Sequence, residues 1–164
     1  MRIPLLRIHP RTRLLLSLMG VMLTLSGCFN ATKLQPPTAS IQQLTVLSDG
    51  TWTAVVRFQN YSYDTGMHVY AIDATLILDG KPAGRIAISP ALDIPAMDAD
   101  IATATFKPDA AGAAALAAAK KNAIQYELKG TLSVGKGDKG NAQPFKLDHK
   151  DYISPVPGVS NIWR

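Results

Sequence analysis

Cys28 is the only cysteine in this 164-residue chain, and histidine is nearly as scarce, at His9, His68 and His149. One thiol excludes an internal disulfide framework, and no histidine has a second histidine or thiol at ligand spacing, so no metal site is expected. No serine sits in a Gly-x-Ser-x-Gly elbow and no histidine is spaced as an evident base; no catalytic residue and no cofactor are expected. No segment repeats at a fixed period. The longest apolar run, Leu14 to Leu25, is about a dozen residues, well short of the roughly 20 that span a hydrocarbon core. Acids are missing altogether before Cys28. That last absence bears most on function.

Ahead of Leu14 the chain carries Arg2, Arg7, Arg11 and Arg13, and the apolar run that follows is broken only by Ser17, Gly20 and Thr24. A charged stretch, a short apolar stretch and then small residues make a bacterial secretory signal over residues 1–27. Leu25, Ser26, Gly27 and Cys28 resemble the lipobox of bacterial lipoproteins. The resemblance implies that signal peptidase II recognises those four residues, that the Cys28 thiol takes a diacylglyceryl group, and that Cys28 becomes the first residue of the mature chain. Phe29 follows, whereas Asp at that position would resemble the inner-membrane retention signal of enterobacterial lipoproteins. The expected location is therefore the outer membrane of a Gram-negative cell, lipid-anchored and facing the periplasm.

Removing the signal changes the meaning of the charge. Four of the 17 basic residues precede Cys28 and all 12 acidic residues follow it, leaving 13 against 12 and a net charge of +1. A balanced chain offers no electrostatic footprint for nucleic acid, so the membrane and periplasmic proteins are the expected partners. The segment from Cys28 to Arg164 suits one domain with a real core. Residues 28–39 read as a tether, because Asn30 to Ser40 is polar and Pro36-Pro37 favours an extended polyproline path. About ten such residues at ~3 Å each would lift the domain roughly 30 Å from the bilayer.

From Ile41 the pattern is that of short strands. Ile41 to Val46 is apolar and β-branched, and Ser48-Asp49-Gly50 supplies a turn. Thr51 to Phe58 sets Trp52, Ala54, Val56 and Phe58 on one face; Val69 to Leu78 does the same with Ile72, Ala74, Leu76 and Leu78. Asp79-Gly80 predicts a type I′ hairpin turn, with Gly84 to Ile88 as the returning strand. Pro90 and Pro95 confine Ser89 to Met97 to an edge or connecting path. Ile101 to Phe106, Ile124 to Val134 and Phe145 to Ile153 complete the strands. Pro108-Asp109 followed by an alanine-rich run predicts a helix of about three turns, with Asp109 at its positive end, Lys120-Lys121 at its negative end and Asn122 closing it. The expected fold is mainly β: an antiparallel β-sandwich over 40–153 with one short helix, followed by a Pro-rich tail, 154–164.

The span from about Ser40 to Ile153 resembles the late embryogenesis abundant group 2 family (LEA type 2), also called the water-stress and hypersensitive-response (WHy) domain. Phe58-Gln59-Asn60 stands where that family has a strand ending in Asn-Pro. The long strand Val69 to Leu78 with Asp79-Gly80-Lys81 and Gly84 behind it, Ile94-Pro95-Ala96 before a strand, and Tyr126 to Gly130 as a Tyr-x-x-x-Gly strand carry the rest. Tyr61 stands where the family has proline and Met97 where glycine is common, departures that bear on turn geometry more than on fold. The resemblance implies a fibronectin type III/immunoglobulin-like sandwich associated with desiccation and stress tolerance, without an established catalytic site.

Other motifs have bland readings. Gly135 to Gly140 has the glycine spacing of a phosphate loop, but Asn141-Ala142 stand where Lys and Ser/Thr are required, so it reads as a solvated turn. Asp93, Asp98 and Asp100 lack the order of a calcium loop and read as a charged strand edge. Trp52, Phe58, Tyr70 and Phe106 read as sandwich core, and the alanine helix as packing across one sheet end. Pro155 and Pro157 send the tail out as an extended arm, with Trp163 either folded back over a sheet edge or offered to another protein. Two functions follow: a non-catalytic, stress-associated envelope lipoprotein, or an interaction module of a larger envelope assembly.

Overall fold

Alternation of apolar and polar residues builds nine strands among the described residues of a computed structural model, which are 33–119, 122–137 and 140–164. Residues 1–27, expected to be a signal segment, lie outside the described residues with Leu25, Ser26 and Gly27 among them, as do Cys28, Lys120 and Lys121. The strands are β1 (Thr38–Val46), β2 (Trp52–Gln59), β3 (Met67–Leu78), β4 (Lys81–Ile88), β5 (Leu92–Ile94), β6 (Ala99–Phe106), β7 (Ile124–Lys136), β8 (Gln143–Ile153) and β9 (Ile162–Trp163), with one helix, α1 (Ala110–Ala119), between β6 and β7. They form two antiparallel sheets, ordered β6-β2-β1-β9 and β4-β3-β7-β8, with β5 pairing β3 beyond the reach of β4. The architecture is a β-sandwich. Asp79 and Gly80, at φ 47° and 76°, make the left-handed pair that the β3–β4 hairpin requires.

The inner faces meet as one core. Trp52, Ala54, Val56 and Phe58 of β2 lie against Ile72, Ala74, Leu76 and Leu78 of β3, all buried. Among them Val56, Phe58, Ile72, Leu76 and Leu78 each contribute roughly 1.5–3 kcal/mol relative to exposure. The helix closes one end, burying Gly112, Ala115 and Leu116. A Cβ at Gly112 would overlap the backbone of Ala83, so glycine lets α1 approach β4 closely. The outer face of the second sheet is laced with ion pairs: Arg85 to Asp73 at 2.5 Å, and Lys129 and Lys150 to Glu127 at 2.5 and 2.7 Å. The Arg85 guanidinium holds the Asp73 carboxyl below its usual range, and Lys129 with Lys150 does the same for Glu127.

Register slips interrupt three pairings: β3–β4, between Leu76 and Ile77, and the two that follow. The β1–β2 register slips between Ile41 and Gln43, so Ile41 and Leu44 both face inward. The β3–β7 register slips between Val69 and Ala71. That second bulge corrects the reading of Tyr70 as core: the ring stands outside, half-buried, with its hydroxyl donating to the Gly140 carbonyl at 2.5 Å. Phe106 is also only half-buried, edge-on to Trp52 at 6.1 Å between ring centroids.

Both terminal segments differ from expectation. Within the stretch read as tether, β1 already begins at Thr38, Pro37 is buried, Leu34 packs against the core, and the Gln35 N–H donates to Ser62 Oγ at 3.0 Å. The tail is not an extended arm, but of the two courses expected for Trp163 it takes the one folded back over a sheet edge. Gly158 and Asn161, at φ 76° and 65°, turn it back. Ser154 and Arg164 then exchange backbone hydrogen bonds, and Trp163 pairs with Leu44 at 7% exposure. The chain thus crosses from β8 of one sheet to the β1 edge of the other.

One hydrogen bond stitches the two sheets through the core. The Tyr126 hydroxyl, on β7, accepts from the Ile41 N–H at the β1 bulge at 3.1 Å. Burial pushes that hydroxyl up to about 12. A raised tyrosine favours the neutral form in the folded state, so its contribution is complete below about pH 10 and lost as pH rises toward 12. Tyr126→Phe should cost about 1–3 kcal/mol at neutral pH, the penalty for a buried N–H without an acceptor, and should flatten the alkaline loss of stability. Urea titrations of both proteins across the alkaline range check this; parallel alkaline limbs would contradict it.

Candidate functional site

The sandwich has two chemically different ends. One carries α1, the Asp79-Gly80 turn and the returning tail. The other, the entry end, gathers the segment leading into Thr38, the β2–β3 loop (60–66), the β5–β6 loop (95–98) and the start of the β7–β8 loop. The tail end holds a groove of about 810 Å³ between Leu116 and Pro155 to Trp163, lined by no titratable side chain. The entry end holds the polar chemistry.

Asn60 organises it. The side chain is 0% exposed, and Nδ2 donates to the carbonyls of Thr65 at 2.8 Å, Pro95 at 2.9 Å and Ile94 at 3.3 Å. Oδ1 accepts from the Ser62 N–H at 2.9 Å, an Asx turn. Three carbonyls on one side and one N–H on the other leave a single way to orient the amide. The Asn60 backbone N–H donates to Asp98 O at 2.9 Å, and Met97 N–H to Ser62 O at 3.0 Å. Ser62 and Thr65 are themselves buried. One amide therefore joins the end of β2, in the first sheet, to the β5 terminus, in the second.

Around this knot lie the surface groups. The Asp93 carboxylate accepts from His68 Nδ1 at 2.6 Å, and the His68 ring lies 4.5 Å from that of Tyr70. Gly66, Met67, Ile94, Pro95 and Gly137 make a shallow depression beside Asp93. The other two aspartates act locally: Asp98 and Asp100 each accept from the next backbone N–H. His149 sits on β8 with its ring 6.0 Å from Tyr126, far from His68 in the sheet. Tyr61, Tyr63 and Met97 project from the loops at 47%, 85% and 52% exposure. Met97 holds φ at 58°, the left-handed region that glycine occupies freely, so the turn keeps its geometry with a bulky residue in place.

The knot links residues that the sequence had marked only by resemblance. Asn60 reaches the carbonyls of Ile94 and Pro95, and Tyr126 and Gly130 lie on one strand, where a Cβ at Gly130 would overlap the Asp73 backbone. Ser62 and Thr65 were not singled out, because buried polar loop residues carry no local signature. Cys28, the residue expected to carry the lipid, and its neighbours Leu25, Ser26 and Gly27 lie outside the described residues.

Asn60→Ala strands three carbonyls and one N–H, and should cost about 3 kcal/mol or more at roughly 1–3 kcal/mol per buried group. Asn60→Asp keeps the acceptor for Ser62 but turns a carboxyl toward three carbonyls, which raises its pKa. Its stability should be best below the usual carboxylate range and should fall as pH rises through it. Urea midpoints at acidic and neutral pH test both; a pH-independent Asn60→Asp or a loss below ~1 kcal/mol for Asn60→Ala would remove the knot from its role.

No family model and no curated protein matches this sequence. Solved structures do show likeness. The solution structure of an Arabidopsis thaliana protein is 17% identical, covering 81% of this chain and 93% of that one at a TM-score of 0.44. A second solution structure, provisionally designated a late embryogenesis abundant (LEA) protein, is 13% identical over 94% of this chain and 96% of its own, at 0.39. A crystal structure from Archaeoglobus fulgidus is 11% identical over 76% and 98%, at 0.37.

Proposed function

We propose that this chain is a non-catalytic, lipid-anchored protein of the cell envelope whose LEA type 2-like sandwich serves desiccation or stress tolerance. The observation that carries the anchor is Leu25-Ser26-Gly27-Cys28 behind a basic and then apolar leader. Three acyl chains at ~0.8 kcal/mol per buried methylene hold far more firmly than one chain. With Phe29 after the cysteine, the chain belongs to the outer membrane, facing the periplasm. Support for the LEA type 2 reading comes from the spatial meeting of the motifs: Asn60 bonded to Ile94 and Pro95, and Tyr126 spanning the core. No helix among the described residues is long and apolar enough to cross a membrane.

The alternative, an interaction module of a larger envelope assembly, would use surfaces other than Trp163. Trp163 is covered by its own domain and is not free to act as a docking peptide.

Mass spectrometry of the mature amino terminus should find Cys28 acylated, and fractionation should place the protein with the outer membrane. An unmodified Cys28 or soluble periplasmic protein would sink the anchor. A test enzyme dried beside the protein should retain more activity than one dried beside an unrelated protein of equal mass. Equal losses, together with a stoichiometric partner in membrane pull-downs, would move the function to the assembly reading.

A further inference from the structure

We infer that the entry end of the sandwich is a membrane-contact surface, on which Tyr61, Tyr63 and Met97 seat against the phospholipid headgroups of the bilayer that holds the anchor. The inference rests on the lipid-anchor reading of Cys28. Three observations converge on it.

Chain length comes first. The segment read as a tether is docked from Leu34 onward, with Gln35 bonded to Ser62 between the two exposed tyrosines. Lys33 lies five positions beyond Cys28, with four residues between them, and fully extended that lead reaches at most about 17 Å. The end bearing Ser62 therefore lies next to the bilayer, and the α1 and tail end points away.

The second observation is what that end exposes. Of the seven exposed large hydrophobic residues among those described, Tyr61, Tyr63 and Met97 share one loop cluster, held together by the Met97 N–H to Ser62 O bond. Tyrosine, with an apolar ring and a polar tip, suits the boundary between acyl chains and headgroups. The third is strain. Met97 occupies left-handed backbone while its own domain leaves about half of the side chain, 52%, exposed. Asp64 and Asp98 stand at the same end as Lys33 and Lys136, so no single sign of charge directs the contact at anionic lipid and the attraction invoked is apolar.

The test uses the full, acylated protein in phosphatidylcholine vesicles, some with brominated acyl chains. Because Cys28 is blocked by its lipid, a new cysteine carries a fluorescent label alone: Asp64→Cys at the entry end or Lys81→Cys at the other. Label at position 64 should be quenched by brominated lipid and blue-shifted, unchanged by high salt, while label at position 81 should report water. Replacing the three side chains together (Tyr61→Ser, Tyr63→Ser, Met97→Ser) should abolish the quenching at position 64 with the fold intact by circular dichroism. Acylated protein whose two labels both report water, or a triple variant quenched as strongly as the parent, overturns the contact surface and leaves the anchor standing. Absence of acylation on Cys28 overturns the anchor and the contact surface with it.

Discussion

A buried amide with three carbonyls on one side and an N–H on the other can be satisfied in only one arrangement of the surrounding loops. Asn60 imposes that arrangement. Its reach fixes where β2 ends, where β5 ends and how the loop between residues 60 and 66 returns into β3. Without it, two sheets joined mainly by non-directional apolar contact could slide, since such burial does not choose a register between layers. The opposite end is secured differently, by Gly112 letting α1 approach Ala83 and by Trp163 covering the β1 edge. Midway, the Tyr126 hydroxyl holds the β1 bulge. Polar ties at one end and in the middle, and apolar closure at the other, give the sandwich its polarity.

That polarity explains how the same loops can be structural within and available without. Asn60, Ser62 and Thr65 turn inward and are consumed by hydrogen bonds, while Tyr61 and Tyr63 face outward from the same loop and Met97 from the β5–β6 loop beside it. The loop backbone is fixed by the knot, so the outward side chains are presented at little further entropic cost. A lipid anchor on a short lead would bring this face, and no other, to the bilayer.

Much of the fold was legible because each sheet has one buried face. Trp52-Ala54-Val56-Phe58 and Ile72-Ala74-Leu76-Leu78 alternate as a half-buried strand must, and Asp79-Gly80 carries its own turn chemistry. Bulges were not legible. Gln42 and Tyr70 are extra only relative to strands 13 or more positions away, and Tyr70 was accordingly misplaced in the core. The prolines of the tail correctly ruled out a long strand there, but the left-handed Gly158 and Asn161 that bring Trp163 home depend on a β1 edge that the local sequence does not reveal. The polar tether looked solvated because Leu34 and Pro37 are isolated apolar residues whose partners lie across the domain. At the candidate site, the aromatic and methionine side chains were visible in the sequence, yet their convergence rests on the 35-residue span between Asn60 and Pro95.

The central claim is that a lipid-anchored sandwich stands on the bilayer by its entry end. Neutron reflectometry of the acylated protein on a supported phosphatidylcholine bilayer measures this directly, as the thickness of water between headgroups and protein. The account predicts protein density contiguous with the headgroups. A hydrated gap of about 17 Å, the full reach of five extended residues, would contradict it.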